Sequence, residues 1–91
     1  MAVYVDQLIR WPTNLRTFAN GSCHLIAETE EELHTFAARL GLRRKWFQPK
    51  SFPHYDLTGP RRVAALAAGA VELSSREFVM TIRRIREEAK P

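Results

Sequence analysis

Short apolar runs alternating with helix-start signals predict a small three-layer α/β domain, a mainly parallel sheet of three to four strands carrying three helices. The runs are Ala2-Val3-Tyr4-Val5, His24-Leu25-Ile26-Ala27 and Ala70-Val71-Glu72-Leu73, with Lys45-Trp46-Phe47-Gln48 as a weaker fourth. The start signals are Thr29 with Glu32, Thr58-Gly59-Pro60, and Ser74 with Glu77. Helices that alternate with strands are joined most simply by right-handed crossovers between parallel strands.

The first run is apolar on both alternating faces, which predicts a central strand covered on both sides and ending at Asp6. Gln7 to Ser22 carries Trp11-Pro12, Asn14, Asn20 and Gly21 without helical or strand period, and reads as a long connection. The second run delivers Glu28 to its end. Thr29 and Glu32 form a capping box for a helix whose stripe is Leu33, Phe36, Ala37 and Leu40, with Gly41 as its stop. Pro49 limits the weak strand, and Pro53-His54-Tyr55-Asp56 reads as a loop. A second helix opens near Pro60, carries Val63, Ala64, Leu66 and Ala67, and stops at Gly69. Its alanines imply close packing on a sheet. After the last strand, Ser74 and Glu77 cap a third helix with the stripe Phe78, Ile82, Ile85 and Ala89. If the strands are parallel, Asp6, Glu28 and the Gln48-to-Asp56 loop share the carboxyl edge, where ligands of such sheets sit.

Ninety-one residues make one domain, and 45% apolar with 26% charged residues is ordinary globular composition. A single cysteine, Cys23, cannot form an internal disulfide, and no signal-like or bilayer-length apolar stretch is present, so a cytoplasmic protein without membrane association is expected. The net charge of +4 is unevenly placed. Between Arg39 and Arg62, Arg39, Arg43, Arg44, Lys45, Lys50, Arg61 and Arg62 face Asp56 alone, an excess that favours phosphate-bearing partners. The later group Arg76, Arg83, Arg84 and Arg86 is balanced by Glu72, Glu77, Glu87 and Glu88 and reads as a solvated helix face.

The densest polar chemistry lies in residues 52–62. Free N–H groups at the second helix start, with Arg61 or Arg62, suit an anion. The two arginines are adjacent, so they point about 100° apart and only one readily faces a shared pocket. Trp46 or Tyr55 could stack on a base, and His24 and His54 could donate hydrogen bonds. The ligand-binding set is therefore His24, His54, Tyr55, Asp56, Arg61, Arg62 and Trp46. Asp6, His24, His54 and Asp56 could alternatively supply two imidazoles and two carboxylates to one divalent metal, although their spacing matches no ligand signature. The plain structural readings stand beside these: Asp56 as a turn or capping group, His24 as a core histidine, His34 at a packed edge, and Cys23 as a small buried side chain. No Walker loop, dinucleotide fingerprint, zinc knuckle or nucleophile elbow is present, so no cofactor is required by motif.

Met1-Ala2-Val3-Tyr4-Val5-Asp6, His24-Leu25-Ile26-Ala27, Thr29 and Glu31-Glu32-Leu33-His34, Phe36-Ala37 and Leu40-Gly41-Leu42 resemble the domain-of-unknown-function family numbered 4031, a group of small bacterial and phage proteins. The resemblance continues through Trp46-Phe47-Gln48, His54-Tyr55-Asp56-Leu57-Thr58, Arg62 and Ala68-Gly69-Ala70-Val71-Glu72. It covers roughly Met1 to Phe78 and leaves the last helix, residues 74–91, outside. The family carries no activity to transfer. This chain has Asp6-Gln7 where the family pattern is similar to a paired Asp-Asp, and Glu28 where a shorter Asp is commoner.

The leading expectation is a non-enzymatic binder of a phosphorylated ligand, either a nucleotide or a nucleic-acid backbone; the phage resemblance implies action against a host system. Two readings compete with it: a metal-dependent phosphoesterase or nuclease, and a module for a host protein partner. A homodimer joined through the last helix is also compatible with so short a chain.

Overall fold

The computed structural model describes residues 2–9 and 21–90. The connection expected over Gln7 to Ser22 lies largely outside the described residues, apart from an antiparallel bridge between Ile9 and Ser22 that closes its two ends.

Four strands form one sheet in the order β3-β2-β1-β4. Strand β1 (Val3–Val5) is interior, as its two-sided apolar pattern predicts, and lies between β2 (Ser22–Ala27) and β4 (Val71–Glu72). It runs antiparallel to β2, with Val5 opposite Leu25, and parallel to β4. Strand β3 (Tyr55–Thr58) is antiparallel to β2, with His24 opposite Asp56.

The sheet is therefore mixed and mostly antiparallel, not mainly parallel as the alternation of elements suggested. The reason lies between β2 and β3. Helix α1 (Glu30–Arg39) is followed by an additional leg, a 3-10 turn at Arg44–Trp46 and then a bridge between Gln48 and His54. That leg brings the chain into β3 beside Leu25 and out beside Ser22, opposite to a direct crossover. The weak strand expected at Lys45–Gln48 is this 3-10 turn plus the single bridge at Gln48. One parallel crossover does remain: β3 and β4 run the same way, joined by helix α2 (Gly59–Ala67).

Because β2 runs against β1, Glu28 leaves the sheet at the edge opposite Asp6, correcting the expectation that both emerge together. Glu28 instead accepts from the Tyr4 hydroxyl and pairs with Arg84 at 2.5 Å on helix α3 (Ser75–Ala89).

The sheet's two faces differ. Cys23, Leu25 and Ala27 of β2, with Val5, Tyr55 and Leu57, join Leu33, Phe36 and Ala37 of α1 and Ala65 of α2 in one core. The other face carries His24, Ile26 and Asp56 under α3. Alternation along β2 and β3 puts apolar side chains on the first face and, Ile26 apart, polar ones on the second. Helix α1 starts at Thr29, whose hydroxyl accepts from Glu32 N at 3.1 Å, and stops at Gly41 with φ of 77°. Helix α2 is capped by Thr58, not Asp56. The Ser74–Glu77 capping box forms in both directions, at 3.2 and 2.9 Å, and starts α3. Of its stripe, Phe78 is buried, Ile82 and Ile85 are half-buried and Ala89 is exposed.

Candidate metal centre

The β2–β3 register fixes the site. His24 and Asp56 are direct cross-strand partners, so their side chains share the α3 face of the sheet. Asp6, just past β1, donates its backbone N–H to His24 O at 3.4 Å and so continues the row onto a third strand. His54 is placed beside Asp56 by its two backbone hydrogen bonds with Gln48, at 2.9 and 3.0 Å. His24, His54 and Asp56 thereby offer one ligand atom each, all within 4.8 Å of one another.

Each of these three side chains has its other polar atom already engaged. Asp6 accepts twice from His24, from the backbone N–H at 2.6 Å and from ring Nδ1 at 2.7 Å. His54 Nδ1 donates to the Phe52 carbonyl at 2.8 Å; a carbonyl only accepts, so the proton is on Nδ1 and the Nε2 lone pair is free. Gln48 Nε2 donates to Asp56 Oδ2 at 2.6 Å, leaving Oδ1. The remaining atoms converge without satisfying one another: Asp56 Oδ1 is 3.5 Å from His54 Nε2 and 4.0 Å from His24 Nε2, too long for good hydrogen bonds. Two imidazoles and a carboxylate, oriented from behind by a carboxylate, a carbonyl and an amide, fit the donor set and supporting shell of a zinc- or iron-type divalent centre.

The electrostatics are consistent with that geometry. Asp6 is only 7% exposed. Its hydrogen bond raises the His24 pKa, burial opposes this, and the charges of Asp6 and Asp56 add to the rise. Phe52 and Phe78 wall the centre, with the Phe52 ring 4.5 Å from that of His54 and the Phe78 ring 6.2 Å from that of His24. Cys23 lies on the opposite face among the core residues, its thiol pushed up to about 12 by burial first and Asp6 second.

Of the sequence-derived residues, Asp6, His24, His54 and Asp56 come together, with Asp6 behind His24 and not in the ligand set. Arg62 reaches the same neighbourhood, donating from Nε to Asp6 O at 3.1 Å, but its other end is paired with Glu72. Arg61 turns away: its Nη1 donates to Leu40 O at 2.5 Å and caps α1. Tyr55 is 1% exposed on the core face, its hydroxyl 2.8 Å from His34 Nδ1, so it cannot stack on a ligand. Trp46 lies on the 3-10 turn, apart from the histidines, flanked by Arg43 and Arg61. Gln48 and Phe78 were not singled out for the site. Only the alternation of His54-Tyr55-Asp56-Leu57-Thr58, a strand pattern overlooked behind Pro53, carried a signal for the register that assembles it.

No curated protein and no solved structure matches the chain. A family model described as a protein of unknown function, DUF4031, matches residues 3–85, which includes the three candidate ligand residues, Asp6, Gln48 and most of α3. The chain therefore belongs to DUF4031.

Proposed function

We propose that this protein is a divalent-metal-dependent phosphoesterase, with His24 Nε2, His54 Nε2 and Asp56 Oδ1 as ligands. The observation that carries the reading is the double orientation of every ligand: each converging atom belongs to a side chain whose second polar atom is already held. A structural histidine pair would use its Nε2 atoms on neighbours, whereas here both face Asp56 Oδ1 at distances too long for good hydrogen bonds. Three protein ligands leave a further position for water, and a bound divalent ion would lower the pKa of that water toward neutrality and supply the attacking hydroxide.

The protein's own groups have separable tasks. Asp6 holds the His24 tautomer, the Phe52 carbonyl holds that of His54, and Gln48 fixes Asp56. Phe52 and Phe78 limit water around the ligands. The cationic surplus between Arg39 and Arg62 supports a phosphoester over a neutral ester as substrate. The non-enzymatic phosphate-binding reading at the histidines receives less support, because Arg62, the arginine that reaches them, is committed to Glu72 and Asp6 O.

The test is hydrolysis of bis(p-nitrophenyl) phosphate by protein loaded in turn with zinc, manganese and iron(II). Activity with at least one ion, abolished by chelation and by His54→Ala, is expected. Inactivity with all three ions would overturn the assignment.

A further inference from the structure

We infer that the surface formed by Arg39, Arg43, Arg44, Lys45, Trp46 and Arg61 is a platform for a nucleic-acid backbone. The inference rests on the metal-centre reading for the chemistry done to the strand, and on the platform itself for binding.

The first observation is uncompensated charge. Arg39, Arg43, Arg44 and Lys45 are exposed and have no carboxylate partner among the described residues. Among the described residues, carboxylate partners go to basic residues outside this surface, Arg62 with Glu72, Arg84 with Glu28 and Glu88, and Lys90 with Glu87, while the unpaired Arg76, Arg83 and Arg86 share helix α3 with Glu77, Glu87 and Glu88. Helix α1 itself is polarised: Glu30, Glu31 and Glu32 fill its first turn, and Arg39 its last. The C-terminal carbonyls of α1 explain one cation, since Arg61 caps Leu40 O, but not the other four.

The second observation is order. Trp46 is 43% exposed and carries two guanidiniums against its ring, Arg43 at 5.9 Å and Arg61 at 5.7 Å from the ring centroid. The tryptophan thus positions cations drawn from two separate elements, and each guanidinium keeps free N–H donors of the kind that bind phosphate. Two guanidiniums held on one ring beside the exposed Arg39, Arg44 and Lys45 suit repeated phosphates along a strand.

The third observation is continuity with the metal ligands. A single residue, Phe47, separates Trp46 from Gln48, a span of at most about 7 Å. Gln48 both pairs its backbone with His54 and holds Asp56. The molecule's apolar groove of about 490 Å³, between α3 and the start of α1, is the poorer place for a phosphate: Glu28, Glu30 and Glu88 rim it against Arg86 alone.

The experiment is fluorescence anisotropy with a labelled 20-nucleotide single strand and the matching duplex, in chelator so that metal plays no part. About four phosphate contacts predict that raising salt from 50 to 200 mM weakens duplex binding on the order of 100-fold, and single-strand binding somewhat less. The tighter arm identifies the form of substrate. Arg44→Glu with Lys45→Glu, which leaves the Trp46 contacts intact, is expected to abolish binding without changing metal affinity or melting temperature. Trp46→Ala, which removes no charge, is expected to weaken it several-fold. Binding that ignores salt or survives the double reversal would overturn the inference, as would equal competition by poly-glutamate, the mark of an acidic protein partner. Failure to bind either strand while bis(p-nitrophenyl) phosphate is still cleaved would remove the platform and spare the metal centre; strand binding without any metal binding would do the reverse.

Discussion

Asp6→Asn isolates the orienting role of one carboxylate. Asp6 uses one oxygen on the backbone N–H of His24 and the other on its Nδ1, at 2.6 and 2.7 Å, in a pocket where it is 7% exposed. Asparagine has the same shape but one acceptor and one donor. The backbone N–H can only donate, so the amide oxygen must face it, and the amide N–H₂ then faces Nδ1. That forces Nδ1 to accept and moves the ring proton to Nε2, the atom proposed as ligand. Changes to such orienting partners weaken metal binding about 10- to 100-fold, or roughly 1.4–2.8 kcal/mol. The assay is competition for zinc against a chromophoric chelator, with ¹⁵N NMR of the metal-free imidazole as an independent reading of the tautomer. Wild-type His24 is expected to carry its neutral-form proton on Nδ1 and the variant on Nε2. An Asp6→Asn protein with wild-type affinity and an unchanged tautomer would refute the reasoning.

Other consequences follow from the same structure. Leu25 is fully buried between β1 and β3 in the centre of the core, so Leu25→Ala should cost about 2–5 kcal/mol in chemical denaturation; a loss under 1 kcal/mol would contradict the core assignment. Glu28 is held down to about 2, first by its hydrogen bonds to Arg84, then by that from Tyr4. A depressed carboxyl stabilises the fold above its unfolded value near 4.5, and that contribution drains away as pH falls toward 2. The stability difference between wild type and Glu28→Gln should therefore narrow from pH 5 to pH 2, and a constant difference across that range would exclude the ion pair as its source. Ser74→Ala removes half of the capping box and should lower stability by about 1 kcal/mol, read by thermal unfolding, with no effect if α3 does not start there.

Much of the helical part of this fold was legible in sequence because its signals are local. Thr29, Thr58 and Ser74 each cap the helix expected of them, and Gly41 and Gly69 end theirs with φ of 77° and 109°. Strand direction was not legible, because it depends on the number of legs between strands. The leg formed by Arg44–Trp46 and the Gln48–His54 bridge has no strong period of its own. The same error hid β3, whose start follows Pro53 and a dense polar cluster that resembles a loop.

The candidate site was legible in part. Asp6, His24, His54 and Asp56 stood out by residue type, and cross-strand register then brought them together over separations of up to about fifty residues. Their division of labour was not readable: that Asp6 stands behind His24, and that Gln48 and the Phe52 carbonyl hold the other ligands, depends on side-chain direction. Tyr55 was misread for a related reason. In a strand it points away from its neighbours His54 and Asp56, into the core, where a loop would have left it free.

The central claim, that His24, His54 and Asp56 share one divalent ion, is tested most directly by titrating the protein with cobalt(II) and recording its visible spectrum. One equivalent should bind with d–d absorption and no thiolate charge-transfer band, since Cys23 is buried on the other face, and His54→Ala should abolish the signal while leaving the protein folded. Titration with no saturable signal, or the same spectrum in His54→Ala, would contradict it.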